Sequence, residues 1–328
     1  MAEVLLDIKN LRVKFESRFG TVIALNGIDL QIVKGESLGI VGESGSGKSV
    51  TGLSIMKLLD RNASLSSDRM SFEGEDLLAK TEREMRQIRG AKISMIFQDP
   101  LASLNPVLSL GSQIDEAIHI HSGQGRKTRY QKVLDMLNSV GIPDPDLNRK
   151  AYPHQFSGGM NQRVMIAIAL SCKPSLLIAD EPTTALDVTT QAQILDLLKK
   201  LIREENTTLL MISHDFGVIR EVCERVCVMY CGEILEEGSV RDVLSSPLHP
   251  YTEGLIKSIP TLKGSEKLDV IPGSIPRGAA LPLGCIFHPR CHKAKMICFQ
   301  EKPSALAAQN GHRVKCFSFD PGKKDLWR

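Results

Sequence analysis

Apolar residues along this chain fall into short runs separated by glycine-containing turns, and their spacing alternates between that of strands and that of helices. Near the start, Leu6, Ile8, Leu11, Val13 and Phe15 predict a half-buried strand with an irregularity near Asn10. Ile28, Leu30 and Ile32 alternate more cleanly with polar neighbours. Lys34-Gly35-Glu36 reads as a turn, and Leu38-Gly39-Ile40-Val41 as a short buried strand after it. The run Leu53, Ile55, Met56, Leu58 and Leu59 has the apolar density of a helix packed on a sheet. Residues 100–165 are expected to be helical: Tyr130, Val133, Leu134, Leu137 and Val140 recur at intervals of three and four, and Gly141 is a stop signal. Leu176 to Ala179 predicts a second buried strand, Ile194, Leu197, Leu198 and Leu201 a helix face, and Thr208 to Ile212 a third strand. Strand, helix and strand in this order argue for an α/β fold with a largely parallel core. Val226 to Ile234 predicts a late strand pair around Cys231-Gly232. After about 255, proline, glycine and short loops replace the helical period, so the expected division is 1–257 and a small appended module, 258–328.

Two predicted strands end in residues with clear chemical uses. Gly42-Glu43-Ser44-Gly45-Ser46-Gly47-Lys48-Ser49 fits G-x-x-x-x-G-K-S without a mismatch, after a predicted strand and before a predicted helix; the candidate nucleotide contacts extend to Val50. Glycines there let backbone N–H groups wrap phosphate oxygens, and the helix N-terminus adds free donors. Lys48 is expected to reach the β- and γ-phosphates and Ser49 to ligate Mg²⁺. The bland alternative, a chance glycine-rich turn, is disfavoured by that strand-and-helix context. The second strand ends at Asp180-Glu181. An acidic pair after a strand is commonly a solvated strand end. Beside a phosphate loop, Asp180 is instead expected near Mg²⁺ and Glu181 at the attacking water.

With these residues in place the chain resembles the ATP-binding cassette family. Ser157-Gly158-Gly159, within Gln155-Phe156-Ser157-Gly158-Gly159-Met160-Asn161-Gln162-Arg163, looks like the family signature, which contacts the γ-phosphate held by an opposing subunit. Gln98 matches the family glutamine that senses Mg²⁺ and water near the membrane-subunit contact, and His214 the histidine on the γ-phosphate. Ala185-Leu186-Asp187 resembles the loop that communicates between cassettes. Phe19, before Gly20, has the arrangement of the aromatic that stacks on adenine, with Phe15 as the other candidate. The resemblance thus implies a nucleotide site of Phe19, Gly42 to Val50, Gln98, Ser157 to Gly159, Asp180, Glu181 and His214. Within it, Lys48, Gln98, Glu181 and His214 would serve the hydrolysis. Ser49, Gln98 and Asp180 would attend Mg²⁺.

The similarity is greatest to the ATPase subunits of oligopeptide and dipeptide importers. It rests on Gln98 to Pro106, Tyr152 to Met160 and Pro247-Leu248-His249-Pro250-Tyr251-Thr252. Asn161 departs from the arginine frequent in relatives, a change expected to alter surface chemistry.

Composition adds exclusions. The chain of 328 residues has 41 basic and 38 acidic side chains, a formal charge of +3, which gives no reason to propose a nucleic-acid partner. Acids stand near the N-terminus where a secretory signal places basic residues, and no run of 18 apolar residues is present. The expected location is therefore the cytoplasmic face of a plasma or inner membrane, reached through other proteins.

The eight cysteines are unevenly spread. Cys172, Cys223, Cys227 and Cys231 read as core residues, with Cys223 and Cys227 on a helix. Cys285, Cys291, Cys298 and Cys316 gather near the end, in a segment with little core of its own. Four thiolates can hold a [4Fe–4S] cluster or Zn²⁺, or remain unliganded, and the paired knuckles common in zinc modules are absent. Gly284-Cys285-Ile286-Phe287-His288-Pro289-Arg290-Cys291 resembles the cluster-binding phrase of peptide-importer subunits, which implies [4Fe–4S]. His288, His292 and His312 are read as surface residues.

The fold class expected is α/β: a RecA-like P-loop ABC ATPase core with an N-terminal antiparallel strand region, a helical subdomain at about 100–165 and a small cysteine-containing C-terminal extension. The resemblance implies ATP, Mg²⁺ and a [4Fe–4S] cluster as cofactors. The implied partners are a second, homologous ATPase subunit, two transmembrane permease subunits and an extracytoplasmic solute-binding protein. Importers of nickel, an opine or a glutathione-like solute are the alternatives within the family; a soluble ABC ATPase acting on nucleic acid or ribosomes is the alternative outside transport.

Overall fold

Strand β1 (Val4–Ser17) and strand β2 (Gly20–Val33) open a computed structural model that describes residues 3–18, 20–184, 186–258, 271–276, 281–308 and 311–323. Strand β3 (Ser37–Val41) leads through the glycine loop into helix α1 (Lys48–Ile55). Short strands β4 (Ala63–Ser66), β5 (Arg69–Phe72) and β6 (Glu75–Asp76) follow, then α2 (Glu82–Ile88) and β7 (Ile93–Ile96). Five helices come next: α3 (Pro100–Ser103), α4 (Leu110–Ser122), α5 (Arg126–Ser139), α6 (Pro145–Asn148) and α7 (Gly158–Leu170). The alternation resumes with β8 (Leu176–Asp180), α8 (Val188–Glu205), β9 (Thr208–Ser213) and α9 (Phe216–Val222). Hairpin strands β10 (Arg225–Tyr230) and β11 (Glu233–Ser239) precede α10 (Val240–Ser245) and α11 (Pro250–Lys257). Helix α12 (Met296–Gln300) and two-residue strands β12 (Leu306–Ala307) and β13 (Arg313–Val314) complete the elements used below.

The contacts divide the chain into two compact units. One gathers residues 33–36 and 79–211 with Glu3; the other takes 4–32, 37–78 and the chain from 212 onward. The expected division at 257/258 falls beside residues 259–270, which lie outside the described ones.

The first unit is built on β9, β8 and β7 as neighbouring strands, with β9 in it as far as Met211. Strands β7 and β8 pair in parallel, Ile93 with Leu176 through Ile96 with Ala179, and every residue of both is buried. Continuous apolar runs suit strands covered on both faces. The helical insertion runs from Pro100 to Leu170, slightly past the expected end. Ser157 and Asp187 cap α7 and α8 through their side chains, each cap worth about 1 kcal/mol. On α7, Val164, Ile166 and Ala167 are fully buried. Asn161 is fully buried too, with its Nδ2 donating to the Pro153 carbonyl at 2.9 Å. The expectation of a surface effect at this position is corrected: Asn161 supports the start of α7 from inside.

The second unit contains an antiparallel sheet in the order β2-β1-β5-β6, with β4 also beside β1. Asn10 takes φ of 51°, which is the expected irregularity of β1, and its N–H donates to Asp29 Oδ1 at 2.8 Å. Another set of neighbouring strands runs β12-β13-β11-β10-β3. Here β10 is parallel to β3, Arg225 with Leu38 through Val228 with Val41, and antiparallel to β11. Cys227 lies in β10 and is fully buried, so the helical reading of that residue is corrected. Helix α1 stops earlier than its apolar run suggested. Met56 caps it and Lys57 turns at φ of 50°, which leaves Leu58 exposed beyond the end.

Candidate active site

The glycine loop belongs to the second unit and is fixed by close backbone packing. A Cβ on Gly42 would lie 2.1 Å from the Met229 carbonyl oxygen, so no larger residue fits without moving backbone. Gly47 has φ of 107°, and a Cβ there would come within 2.8 Å of the Ala24 carbonyl. The turn between β10 and β11, with Cys231 at φ of 45°, supports the loop: Gly232 N–H donates to the Ser46 carbonyl at 2.7 Å. The buried ammonium of Lys48 donates to the carbonyls of Gly42 at 2.9 Å and Glu43 at 3.1 Å. This places its charge at the loop mouth. Ser49 and Val50 are half-buried on the first turn of α1, which has no acidic residue; Ser44 and Gly45 are exposed. Such a loop, with a lysine and a helix N-terminus, is suited to an anion.

His214 is in the same unit, exposed, immediately after β9. Asp215, beside it, caps α9 by accepting from Gly217 N–H at 2.6 Å.

The first unit assembles a second group. The parallel register that pairs Ile96 with Ala179 carries Gln98 and Glu181 to the same end of their strands. Gln98 Nε2 donates to Glu181 Oε2 at 3.2 Å, and Thr184 Oγ1 donates to the same oxygen at 2.8 Å. Glu181 holds φ of 47°, an uncommon backbone for a non-glycine residue that occurs most often where surroundings over-determine it. Asp180, buried, ends β8 one residue earlier. Thr184 is the member of this group that sequence reading missed; its position within the Glu181 turn was the available signal.

Also in the first unit, Ser157 caps α7 by accepting from Met160 N–H at 3.4 Å, and exposed Gly158 with half-buried Gly159 forms the first turn. A Cβ on Gly159 would meet Thr190 Cγ2 at 2.6 Å. Thr190 in turn is tied to Asp187, whose carboxyl is held below its ordinary range chiefly by the Thr190 backbone N–H. The signature turn and the turn before α8 are therefore packed on each other. Phe19 and Ala185 lie outside the described residues; Phe15 is half-buried in β1.

The four late cysteines share one part of the second unit. Cys285, Cys298 and Cys316 are buried and Cys291 is half-buried. Cys285 N–H donates to the Cys298 carbonyl at 2.8 Å, and pairing of β13 with β11 brings the chain before Cys316 alongside Glu236 and Glu237. Burial pushes the Cys285 thiol up to about 12 and the Cys291 thiol to about 11, with neighbouring cysteines adding to both shifts. Among the described residues, no three or more His, Cys, Asp or Glu side chains converge as a metal ion needs. His312 is not a surface residue: it is buried, with Nε2 2.7 Å from Glu236 Oε1. His288 is half-buried with Nδ1 2.8 Å from the Cys285 carbonyl, and His292 is exposed.

No helix among the described residues is long and apolar enough to cross a membrane. The ABC transporter family matches residues 25–184, and the family described as oligopeptide/dipeptide transporter, C-terminal region, matches 235–298. The oligopeptide transport ATP-binding protein AppD of Bacillus subtilis is 49% identical over 96% of this chain and 97% of its own length. The dipeptide transport ATP-binding protein DppD of Escherichia coli is 45% identical over 95% and 96%, and the oligopeptide transport ATP-binding protein OppD of Salmonella typhimurium 48% over 96% and 94%. Among solved structures, the dimeric, post-hydrolysis ATP-binding cassette MJ0796 bound to ADP and Pi matches with a TM-score of 0.64 at 30% identity, covering 72% of this chain and 99% of that one. The core is thus a RecA-like ABC fold, and the chain belongs to the ABC transporter family, among the ATP-binding proteins of oligopeptide and dipeptide transport.

Proposed function

We infer that this chain is the ATP-hydrolysing subunit that powers import of dipeptides or oligopeptides through a membrane transporter. The observation that carries the reading is the Glu181 carboxylate, held by Gln98 and Thr184 at the end of the acidic strand β8. In the proposed reaction water attacks the γ-phosphorus, the bond to the β–γ bridging oxygen breaks, and ADP leaves with that electron pair. Glu181 accepts the water proton, with Gln98 fixing its orientation. Lys48 and the N–H groups of the glycine loop stabilise charge on the phosphates. Ser49, Gln98 and Asp180 are the residues that would hold Mg²⁺, which would supply positive charge to the phosphates, and His214 is the proposed contact of the γ-phosphate. Phe19 is the proposed adenine platform.

Ser157 to Gly159 would complete the site of a second cassette, and the dimeric state of MJ0796 supports that arrangement. Two permease subunits would place the chain at the cytoplasmic face of the membrane and a solute-binding protein would deliver peptide, which this chain would not touch. The paired cassette is proposed to be homologous rather than identical.

Cys285, Cys291, Cys298 and Cys316 are the proposed ligands of a [4Fe–4S] cluster. The support is that Cys285 N–H donates to the Cys298 carbonyl at 2.8 Å and that burial, with neighbouring cysteines adding to it, raises the Cys285 and Cys291 thiols. When bound, the cluster would supply a covalent cross-link to a segment poor in core.

The test is uptake by the reconstituted transporter against peptides, nickel, an opine and glutathione. Peptide uptake with wild-type protein is expected. Glu181→Gln should retain ATP binding while turnover falls at least about a hundredfold. Import of another solute without peptide would overturn the cargo, and substantial turnover by Glu181→Gln would overturn the role of that carboxylate.

A further inference from the structure

The second residue of the glycine loop carries a negative charge where the loop is built to receive an anion. That residue is Glu43, and its partner comes from 247 positions away. Arg290 Nη1 donates to Glu43 Oε2 at 2.6 Å and Nη2 to Oε1 at 3.0 Å, a two-pronged ion pair. The guanidinium is 5% exposed and all five of its N–H groups are directed at acceptors: Nε at the Pro272 carbonyl, Nη1 also at Tyr230 Oη, Nη2 also at the Ile271 carbonyl. The other polar groups of Glu43 are held as well. Its N–H donates to Tyr251 Oη at 2.9 Å and its carbonyl accepts from Lys48.

Packing fixes the position of Arg290 in turn. It lies between Cys285 and Cys291, and Phe287 of the same segment packs 5.3 Å from both Tyr230 and Tyr251, ring centre to ring centre. The cysteine segment therefore reaches the glycine loop through one aromatic cluster and one ion pair.

We propose that Arg290 is a positioning residue for the phosphate loop, neutralising Glu43 and fixing its side chain, so that the cysteine segment sets the affinity of the loop for a nucleoside triphosphate. The proposal rests on the reading of Gly42 to Ser49 as the nucleotide site. Removing the guanidinium leaves a partly buried carboxylate without its cation within the phosphate loop itself, and breaking such a pair costs far more than forming it gains. An uncharged residue at position 43 removes that repulsion.

The experiment is equilibrium binding of a fluorescent ATP analogue with Mg²⁺ to the full chain, with steady-state turnover beside it. Arg290→Ala is expected to raise Kd about tenfold, equivalent to about 1.4 kcal/mol, and to raise KM while kcat at saturating ATP stays within about twofold. Glu43→Gln with Arg290→Ala should recover to within about threefold of wild type. A Kd for Arg290→Ala within about twofold of wild type would overturn the proposal. So would a double variant no better than Arg290→Ala, because that pattern means loss of packing rather than exposed charge. If wild-type protein itself bound no ATP, the nucleotide-site reading would fall, which is a separate result.

Discussion

Lowering the pH should destabilise this protein through one imidazole, and its surroundings give the size of the effect. His249 is 2% exposed and stands immediately before α11. Its Nδ1 accepts the Tyr251 N–H at 3.0 Å, so it caps the helix only as a neutral ring. Its own backbone N–H donates to Glu236, and its ring packs 5.5 Å from Phe287. Burial pushes its pKa down from 6.5 to about 3. Above pH 6.5 the ring is neutral in both folded and unfolded chains, and the full stability is present. Below that value the unfolded chain takes up a proton that the folded chain refuses, so stability falls as pH drops toward 3. Each pH unit is worth about 1.4 kcal/mol, giving a loss of about 2 kcal/mol between pH 6.5 and pH 5. Urea unfolding at pH 7.5 and pH 5.0 should be compared between wild type and His249→Asn, which keeps a capping oxygen but cannot titrate. Groups away from position 249 are the same in both proteins, so the difference between them isolates the imidazole. Equal pH dependence in the two proteins, or an imidazole that titrates near 6 by NMR in the folded chain, would refute the reasoning.

Two further outcomes follow from close packing and from thiol chemistry. Gly42→Ala places a methyl group 2.1 Å from the Met229 carbonyl, so the loop must move; ATP affinity should drop more than about tenfold, and retention of wild-type affinity would show that the loop tolerates the shift. Protein purified without oxygen should contain about four irons and four sulfides per chain, and Cys316→Ser should lower both; careful anaerobic material free of iron would reject the cluster.

Much of the fold was legible because its signals are local. β8 reads from four apolar residues and β7 pairs with it in parallel, so the end of the strands that gathers Gln98 and Glu181 follows from topology once the register is known. The failures have physical causes. Leu58 and Leu59 continue the apolar density of α1, but the turn at Lys57 has already ended the helix. Cys223 and Cys227 are four apart, which mimics a helix, yet the first caps α9 and the second is inside β10. Asn161 reads as surface because it is polar, and it is buried because it serves the Pro153 carbonyl. His312 is buried because Glu236, 76 positions earlier, supplies an acceptor in an otherwise enclosed place. No local pattern carries such partners.

The segment after 257 looks in sequence like an addition, since its proline and glycine content contrasts with the strands before it. Its contacts run the other way. Strand β13 extends the β10-β11 hairpin, Phe287 closes over Tyr230 and Tyr251, and Arg290 reaches Glu43. Tyr230 and Tyr251 are both 0% exposed, and each carries a hydroxyl that burial pushes away from ionising. Those hydroxyls are usable as neutral partners for Arg290 and the Glu43 N–H because Phe287 helps keep water from them. A segment too poor in apolar residues to form its own core can still be ordered by sharing that of its neighbour. The same sharing gives the glycine loop a support that the loop motif does not contain.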